Sequence, residues 1–174
     1  MFPRYREGPP VPVPSGAGGG HWKTALFKYL QEPRPLSIQR EVFYEDEQCV
    51  IVYDGYPKAK YHLLLLPKKG VINDARQPNQ LRGNHLQALR RLHSVAKSVA
   101  CSLSASGAGF VRYGYHAIPS LEPLHVHIIS QDFDSPCMKK KNHWNGFTTG
   151  FFLECSWVEV RLADRGRLSL DLSR

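Results

Sequence analysis

The chain has 174 residues, 42% of them hydrophobic, and a formal net charge of +8. This length fits about one domain with a substantial core, and no hydrophobic run approaches the roughly 20 residues that a membrane-spanning helix needs. The positive charge favours a polyanionic partner such as nucleic acid, although a solvated basic surface would give the same composition.

The first 20 residues are rich in proline and glycine and are predicted to form a disordered leader. The glycines of this leader do not indicate a phosphate-binding loop, because no strand precedes them and no Gly-Lys-Ser or Gly-Lys-Thr follows. After the leader, Trp22, Leu26 and Leu30 recur at helical spacing. This spacing predicts a short helix that ends before Pro33.

Five strands and one longer helix follow along the chain. The predicted strands are 41–44, 49–53, 60–66, 110–115 and 124–130. The helix is predicted to begin near Asn84, and it carries on one face Leu86, Leu89, Leu92, Ala96, Val99 and Leu103. Strands, then a helix, then strands again predict an α+β fold, with an antiparallel sheet of about five strands and two main helices.

The four cysteines, at positions 49, 101, 137 and 155, form no Cys-x-x-Cys pair. Cys49 lies in an apolar run and Cys101 on the apolar side of the predicted helix, so both are expected to be buried, reduced thiols. The N-terminus lacks the apolar core of a signal peptide. A soluble protein of the cytosol or nucleus is therefore expected.

The most informative stretch is His125-Val126-His127-Ile128-Ile129. Because side chains alternate between the two faces of a strand, the two histidines share one face and Val126 and Ile128 the other. Imidazoles titrate near neutral pH and suit catalysis, but two histidines at this spacing also suit a zinc half-site or a solvated strand. No cysteine has a fixed ligand spacing around them, which makes zinc the weaker alternative.

Other segments accompany this strand. Asp54 lies eight residues before His62, the segment His116-Ala117-Ile118-Pro119-Ser120 comes just before the strand, and residues 129–144 extend it. Over residues 20–154 this combination resembles the histidine triad superfamily of nucleotide hydrolases and transferases, and within it the aprataxin family. The resemblance implies the histidine-triad fold for a catalytic domain at 21–154, followed by a divergent C-terminal tail at 155–174.

The resemblance also implies an activity. Members of the aprataxin branch remove AMP from 5′-adenylated DNA ends left by abortive ligation and restore the 5′-phosphate, with no cofactor and no metal. On this resemblance, His125 is the nucleophile that forms a covalent AMP–histidine intermediate, and His127 binds the phosphoryl oxygens. His62 assists from the neighbouring strand, and His116 protonates the departing 5′-phosphate.

Nucleotide binding is assigned by the same resemblance to Asp54, Leu26 and Ser120, with Asp54 accepting hydrogen bonds from the ribose hydroxyls. Alternatives for two of these residues stay open. Asp54 also suits a turn before Gly55, and Ser120 also suits a local backbone cap.

DNA binding is assigned to two groups of residues. Lys68 and Lys69, and the run Lys139–Lys141, could neutralise backbone phosphates. The resemblance places Asp134 and Ser135 at the DNA backbone and Trp22 against the terminal base pair, where an aromatic ring can stack. The alternatives are that Trp22 belongs to the core and that the lysine run is a solvated loop.

The sequence departs from the family at three points. Pro123 occupies the first triad position; a proline is tolerated at the first residue of a strand, but it cannot reproduce the hydrogen bonds of an imidazole. Vertebrate members also carry a forkhead-associated domain before this region and a C2H2 zinc finger after it. The sequence has neither, and a shortened form is expected, in which repair-protein partners and DNA affinity are affected more than the chemistry.

Two other functions stay open. One is a small-nucleotide hydrolase that acts on dinucleoside polyphosphates or AMP-lysine, and the other is a non-catalytic protein that binds nucleic acid. The basic charge and the extension 130–144 favour DNA over a small substrate. The expected partners are DNA with nicks or 5′-adenylated ends and AMP as product, without a membrane, and the expected location is the nucleus.

Overall fold

The structure, a computed structural model, describes residues 1–6 and 22–170, so most of the predicted leader (7–20) lies outside the described residues. The strands are β1 (Val42–Glu45), β2 (Cys49–Tyr53), β3 (His62–Pro67), β4 (Val111–His116), β5 (Val126–Ser130) and β6 (Phe152–Glu154). The α-helices are α1 (Leu36–Gln39), α2 (Leu86–Leu103), α3 (Lys141–Thr148) and α4 (Cys155–Arg165). A 3₁₀-helix spans Trp22–Leu30, and shorter helical turns span Pro78–Gln80, Gly83–His85 and Ser104–Ala108. No helix within these ranges has the length and apolar character that crossing a bilayer requires.

The six strands form one antiparallel sheet in the order β1-β2-β3-β5-β4-β6. The α+β prediction is confirmed, and the five predicted strands appear within two residues of their expected bounds. The prediction of five strands missed β6, which pairs with the end of β4 through His116 and Phe152. A strand of three residues is too short to show the alternation on which the prediction depends.

One face of the sheet is covered by α2. The predicted apolar face of this helix is buried, except that Leu86 is only partly so, and it packs against Leu63 and Leu65 of β3 and Val126 and Ile128 of β5. The prediction for Cys101 was wrong, because its side chain is exposed. Cys101 comes two residues after the buried Val99, so the two side chains point about 200° apart around the helix. The side chain of Cys101 therefore faces solvent.

The opposite face of the sheet is covered by the 3₁₀-helix and α3. Leu26 and Tyr29 of the 3₁₀-helix pack on the aliphatic residues Val50, Val52, Leu64 and Leu66. Phe147 of α3 packs on Ile129 and Phe152. Strand β5 therefore divides its side chains between two cores, and the face under α3 is the one that carries the histidines.

Residues 1–6 correct the prediction of a disordered leader, because they pack against the sheet. The ring of Phe2 meets Tyr44 edge-on with centroids 5.0 Å apart, and Tyr5 lies 4.7 Å from Tyr61. The Tyr5 hydroxyl accepts a hydrogen bond of 3.2 Å from the backbone N–H of His62. The aromatic residues of this segment stabilise it, whereas the glycines that suggested disorder come later in the chain.

The C-terminal segment is folded as far as residue 170. Helix α4 buries Cys155, Val158 and Leu162 in the main core beside α2. His93 of α2 also contacts α4, because its Nδ1 lies 2.6 Å from Glu159. The Nε2 of the same ring lies 2.7 Å from the hydroxyl of Tyr115 in β4.

Candidate active site

Four histidines meet on the face of the sheet that α3 covers. His62 begins β3, His116 ends β4, and His125 and His127 lie at the start of β5. The ring centroid of His127 lies 4.3 Å from that of His116, 4.9 Å from that of His125 and 5.2 Å from that of His62. The central strands thus bring together all four predicted catalytic histidines.

The hydrogen bond of His125 fixes which of its nitrogens is reactive. Its Nδ1 lies 2.9 Å from the carbonyl oxygen of Pro123. A carbonyl only accepts hydrogen bonds, so Nδ1 carries the proton and Nε2 keeps its lone pair. Pro123, in the position of the first triad histidine, therefore still orients the His125 ring, through its backbone carbonyl.

A second chain of hydrogen bonds sets the protons of His62 and His127. The backbone N–H of Lys58 donates to Nδ1 of His62 at 3.0 Å, so the proton of His62 is on Nε2. This Nε2 lies 3.0 Å from Nδ1 of His127 and donates to it. The proton of His127 is consequently on Nε2, which is buried and has no hydrogen-bond partner among the described residues. An unpaired buried donor costs about 1–3 kcal/mol, so the site is built to hold an acceptor that faces His127.

The Nε2 of His116 is the second buried nitrogen without a partner in the described part of the chain. Helix α3 closes over this ring: Phe147 lies 4.5 Å away between centroids, and a β-carbon at Gly146 would lie 3.3 Å from Nε2. Glycine at position 146 therefore leaves the space that the His116 ring occupies.

Burial lowers the pKa of every histidine in the cluster. The pKa of His62 falls to about 4, through burial that the charge of Asp54 partly offsets. The pKa of His116 falls to about 3, through burial first and then the neighbouring His125 and His62. Burial also lowers the pKa of His125 and that of His127. All four imidazoles are therefore neutral at pH 7, which keeps His125 nucleophilic.

The cluster lies in a cavity of about 780 Å³, large enough for a nucleotide. Asp54, Ser120 and Lys139, three of the predicted binding residues, line it with the histidines. It is also lined by Lys58 and His143, which the sequence analysis did not select. The signal for Lys58 was its place between Asp54 and His62, where its side chain enters the cavity and its backbone fixes His62.

Asp54 has two contacts, one for each alternative left open by the sequence. Its Oδ1 accepts a hydrogen bond of 2.7 Å from the backbone N–H of Tyr56, which is a turn contact. Its Oδ2 lies 3.5 Å from Nε2 of His62, inside the cavity. The carboxylate therefore stabilises the local turn and also lines the cavity.

A metal ion fits this cluster poorly. Asp54, His62 and His127 offer ligand atoms that lie within 4.8 Å of one another. A metal needs an unprotonated imidazole nitrogen, yet Nε2 of His62 carries the proton that it donates to His127. Freeing this nitrogen would move the proton to Nδ1, against the backbone N–H of Lys58.

Three predicted binding residues lie away from the cavity. Leu26 is 6% exposed, packs on Val50 and Leu64 and does not line the cavity, because its helix is anchored to the sheet through this side chain. Lys68 and Lys69 follow β3 at the end opposite His62, about 20 Å along the strand. Lys68 also forms an ion pair of 2.7 Å with Glu45.

Trp22 is not a core residue, since its side chain is 56% exposed. The carbonyl of the adjacent Lys23 accepts a hydrogen bond of 2.7 Å from the backbone N–H of Glu122. This bond ties the start of the 3₁₀-helix to the loop of Ser120 and Leu121, both of which line the cavity. Trp22 is thus an exposed residue directly before the point at which the 3₁₀-helix is tied to this loop.

The remaining predicted residues lie beside the site. Lys140 and Lys141 are exposed next to Lys139, and Asp134 is exposed in the preceding loop. The hydroxyl of Ser135 donates to the carbonyl of Pro57 at 2.5 Å. Ser135 therefore braces the segment that leads to His62.

Comparisons with known proteins show which proteins the chain is similar to. A family model described as "Scavenger mRNA decapping enzyme C-term binding" matches residues 32–143. The chain is 38% identical to aprataxin of Gallus gallus over 87% of its length, but it spans only 45% of that relative. It is 30% identical to the aprataxin-like protein of Saccharomyces cerevisiae, covering 81% of this chain and 75% of that one. A solved structure, "Crystal structure of aprataxin ortholog Hnt3 in complex with DNA", superposes with a TM-score of 0.68 at 27% identity, covering 83% of this chain and 77% of that chain.

Proposed function

The chain belongs to the aprataxin family, within the wider family of the decapping-enzyme C-terminal binding domain, and from this premise we propose that it removes AMP from 5′-adenylated DNA through a covalent AMP–histidine intermediate. One observation carries the proposal. The unprotonated Nε2 of His125 lies in a buried cluster with two nitrogens, of His116 and His127, that have no partner among the described residues. A phosphoryl group beside a nucleophile would satisfy both of these nitrogens.

The first step forms a bond between His125 and the nucleotide. The Nε2 lone pair attacks the phosphorus of AMP, and the bond between this phosphorus and the bridging oxygen of the anhydride breaks. The electrons of that bond leave with the 5′-phosphate of the DNA. The Nε2–H of His127 donates to the phosphoryl oxygens as their charge grows, an interaction of the oxyanion-hole type.

His116 supplies a proton to the leaving phosphate. Its imidazole is neutral in the free protein, because burial holds its pKa at about 3. The negative charge of a bound anhydride would raise this pKa, since an opposite charge within a few ångströms favours the protonated form. Water then attacks the phosphorus of the adduct, the phosphorus–nitrogen bond breaks, and AMP leaves with His125 regenerated.

DNA is the substrate that the surroundings of the cavity favour. Lys139 lines the cavity, and Lys140 and Lys141 follow it as exposed residues. The exposed Trp22 precedes Lys23, whose carbonyl is bonded to Glu122 next to the lining residue Leu121. The aprataxin ortholog Hnt3, to which the chain is similar, has been solved in complex with DNA. A small conjugate such as AMP-lysine would need neither group. We place the protein in the nucleus on the same grounds.

The test is AMP release from 5′-adenylated nicked DNA by the purified chain. The wild type should release AMP and leave a 5′-phosphate, and it should form a trapped AMP adduct that maps to His125. His125→Ala should do neither while keeping its melting temperature. Wild-type turnover by this variant would refute the proposal, and efficient turnover of AMP-lysine without turnover of the DNA would favour the small-nucleotide alternative.

A further inference from the structure

An aromatic surface lies beside the cavity and outside the catalytic cluster. The side chain of Trp144, on α3, is 49% exposed, and its ring lies 4.8 Å from that of Phe133. The ring of Phe133 lies in turn 6.4 Å from that of Phe147, which lines the cavity. We call Trp144 and Phe133 the aromatic platform. It is on the histidine face of the sheet and continuous with the wall of the cavity.

The loop that holds the platform is fixed. Phe133 has a φ of +49°, a conformation that bulky side chains rarely adopt. Asp132 stabilises it, because Oδ1 of Asp132 accepts hydrogen bonds from the backbone N–H groups of Lys60 at 2.9 Å and Asp134 at 2.7 Å. Such backbone strain persists where surrounding contacts over-determine it, and it is concentrated at functional sites. The Phe133 ring is thereby kept under Trp144.

Positive charge lies next to the platform. Lys139, Lys140 and Lys141 lie three to five residues before Trp144 along the chain, and all three are exposed. None of these lysines takes part in an ion pair within residues 1–6 and 22–170. An exposed aromatic face with unpaired lysines is the combination that holds a single-stranded nucleic acid, since the bases stack and the lysines follow the backbone.

We propose that the aromatic platform stacks an unpaired nucleotide base and that Lys139–Lys141 hold the adjoining phosphates, so that a single strand runs past the mouth of the cavity. A duplex keeps its base faces covered, so an intact double helix offers nothing for this ring to stack on except at its ends. The inference rests on the proposed function and deepens it: the preferred substrates are 5′-adenylated ends that carry an unpaired segment. An acidic protein partner would use the lysines but would not need an open tryptophan face.

The test is binding of a labelled, non-adenylated oligothymidylate, followed by fluorescence anisotropy and compared with a blunt duplex of the same length. Trp144→Ala should weaken single-strand binding by about 5- to 150-fold, the range of base–aromatic stacking, and change duplex binding little. Trp144→Phe should retain most of the binding, because it keeps an aromatic face and the packing on Phe133.

The matched control is Trp157→Ala, because Trp157 is a partly buried tryptophan of α4 that packs on the core of the opposite face. This control should bind both oligonucleotides like the wild type.

Each outcome is decisive. If Trp144→Ala melts at a lower temperature, the comparison is made with Trp144→Leu, which keeps apolar packing without an aromatic face and should show the same loss of single-strand binding. If the folded variants bound the single strand as tightly as the wild type, the inference would be overturned, and a protein partner would be the remaining candidate for the aromatic platform. Equal losses on single strand and duplex would also overturn it. The binding assay does not measure catalysis, so the two proposals can fail separately. If the protein bound single strands through Trp144 but released no AMP from adenylated DNA, only the proposed function would be refuted.

Discussion

The Nε2 of His62 donates a hydrogen bond of 3.0 Å to Nδ1 of His127, and this single contact decides which nitrogen of His127 faces the cavity with a proton. His62 has no partner-free nitrogen of its own, because its Nδ1 accepts from the backbone of Lys58. In the proposed mechanism it would therefore act on a substrate only through His127, by positioning the donor.

This relationship predicts non-additive losses in a double-mutant cycle. His127→Ala removes the donor itself and should lower kcat on adenylated DNA by about 10²–10³-fold, as the loss of one oxyanion-hole donor does. His62→Ala should cost less, and the double variant should lose no more than His127→Ala alone, because residues that act as a unit are not additive. His62→Gln, whose amide can donate from nearly the same place, should recover part of the activity. Additive losses in the double variant would show that His62 contacts the substrate by itself.

Replacing Gly146 with alanine is predicted to lower activity without lowering stability. Gly146→Ala should hold or raise the melting temperature, since alanine is favoured over glycine inside a helix by about 1 kcal/mol. The same change should lower kcat, because its β-carbon would lie 3.3 Å from Nε2 of His116 and displace this ring, which is the proposed general acid. The loss should stay below that of His116→Ala, for which general acid catalysis suggests about 10²–10⁴-fold.

The control for this change is Gly150→Ala. Gly150 is close to the same segment, but a β-carbon there would meet nothing within 4 Å. The Gly150→Ala variant should therefore have the kcat of the wild type. If Gly146→Ala also kept the wild-type kcat, the ring of His116 would not be constrained by α3.

The buried histidines predict that the protein loses stability in mild acid. Burial lowers the pKa of His62 to about 4 and that of His116 to about 3, while the same groups in the unfolded chain titrate near 6.5. Below about pH 6.5 the unfolded chain binds more protons, so the free energy of unfolding falls as the pH drops towards about 4. Urea unfolding at several pH values measures this slope.

The variant His62→Gln tests the origin of that slope. It removes one group whose pKa is lowered on folding, so its free energy of unfolding should fall less steeply between pH 6.5 and 4. A wild-type protein with constant stability over this range would show that the histidines titrate normally in the folded state.

Sequence periodicity was sufficient to predict the strand that carries the two histidines, because His125 and His127 must share a face if Val126 and Ile128 enter the core. It could not predict the protonation pattern. The tautomer of His125 depends on a carbonyl of Pro123, and that of His62 on a backbone N–H of Lys58. Backbone groups carry no signature in the amino-acid sequence.

Helix α3 was missed for a different reason. Within its eight residues only Phe147 is buried, so no apolar period marks it. Leu26 and Lys68 lie away from the cavity for one common reason. Chain order shows that both residues are near elements of the site. Packing alone decides that Leu26 is on the side of its helix that faces the sheet, and that Lys68 follows the end of β3 that is far from His62.

The lysine run predicts a change in the salt dependence of DNA binding. Replacing Lys139, Lys140 and Lys141 with Ala should weaken duplex binding whatever its sequence. It should also reduce the slope of log K against log salt by up to about 0.9 per lysine that contacts a phosphate. The matched control is the triple replacement of Arg90, Arg91 and Lys97, exposed on α2 on the opposite face of the sheet. Equal changes in slope for both triple variants would mean that DNA binding follows the net charge and not this surface.

Trp22 predicts a defect that appears only at DNA ends and nicks. Its exposed ring lies at the start of the 3₁₀-helix, which Glu122 ties to the rim of the cavity. Trp22→Ala should lower kcat/KM on adenylated nicks by roughly 5- to 150-fold, the equivalent of one stacking contact of about 1–3 kcal/mol. Binding to a covalently closed circular duplex should stay unchanged, because such a duplex offers no terminal base pair and is held by phosphate contacts.

A melting experiment separates this role from a structural one. A large buried aromatic residue costs about 3–5 kcal/mol when it is replaced by alanine, whereas a side chain that is 56% exposed should cost much less. Trp22→Ala should therefore melt close to the wild type, and Trp22→Phe should restore part of the activity at nicks. A large drop in melting temperature, with equal losses on nicked DNA and on a small AMP conjugate, would show that Trp22 supports the fold and that the site reads duplex ends by other means.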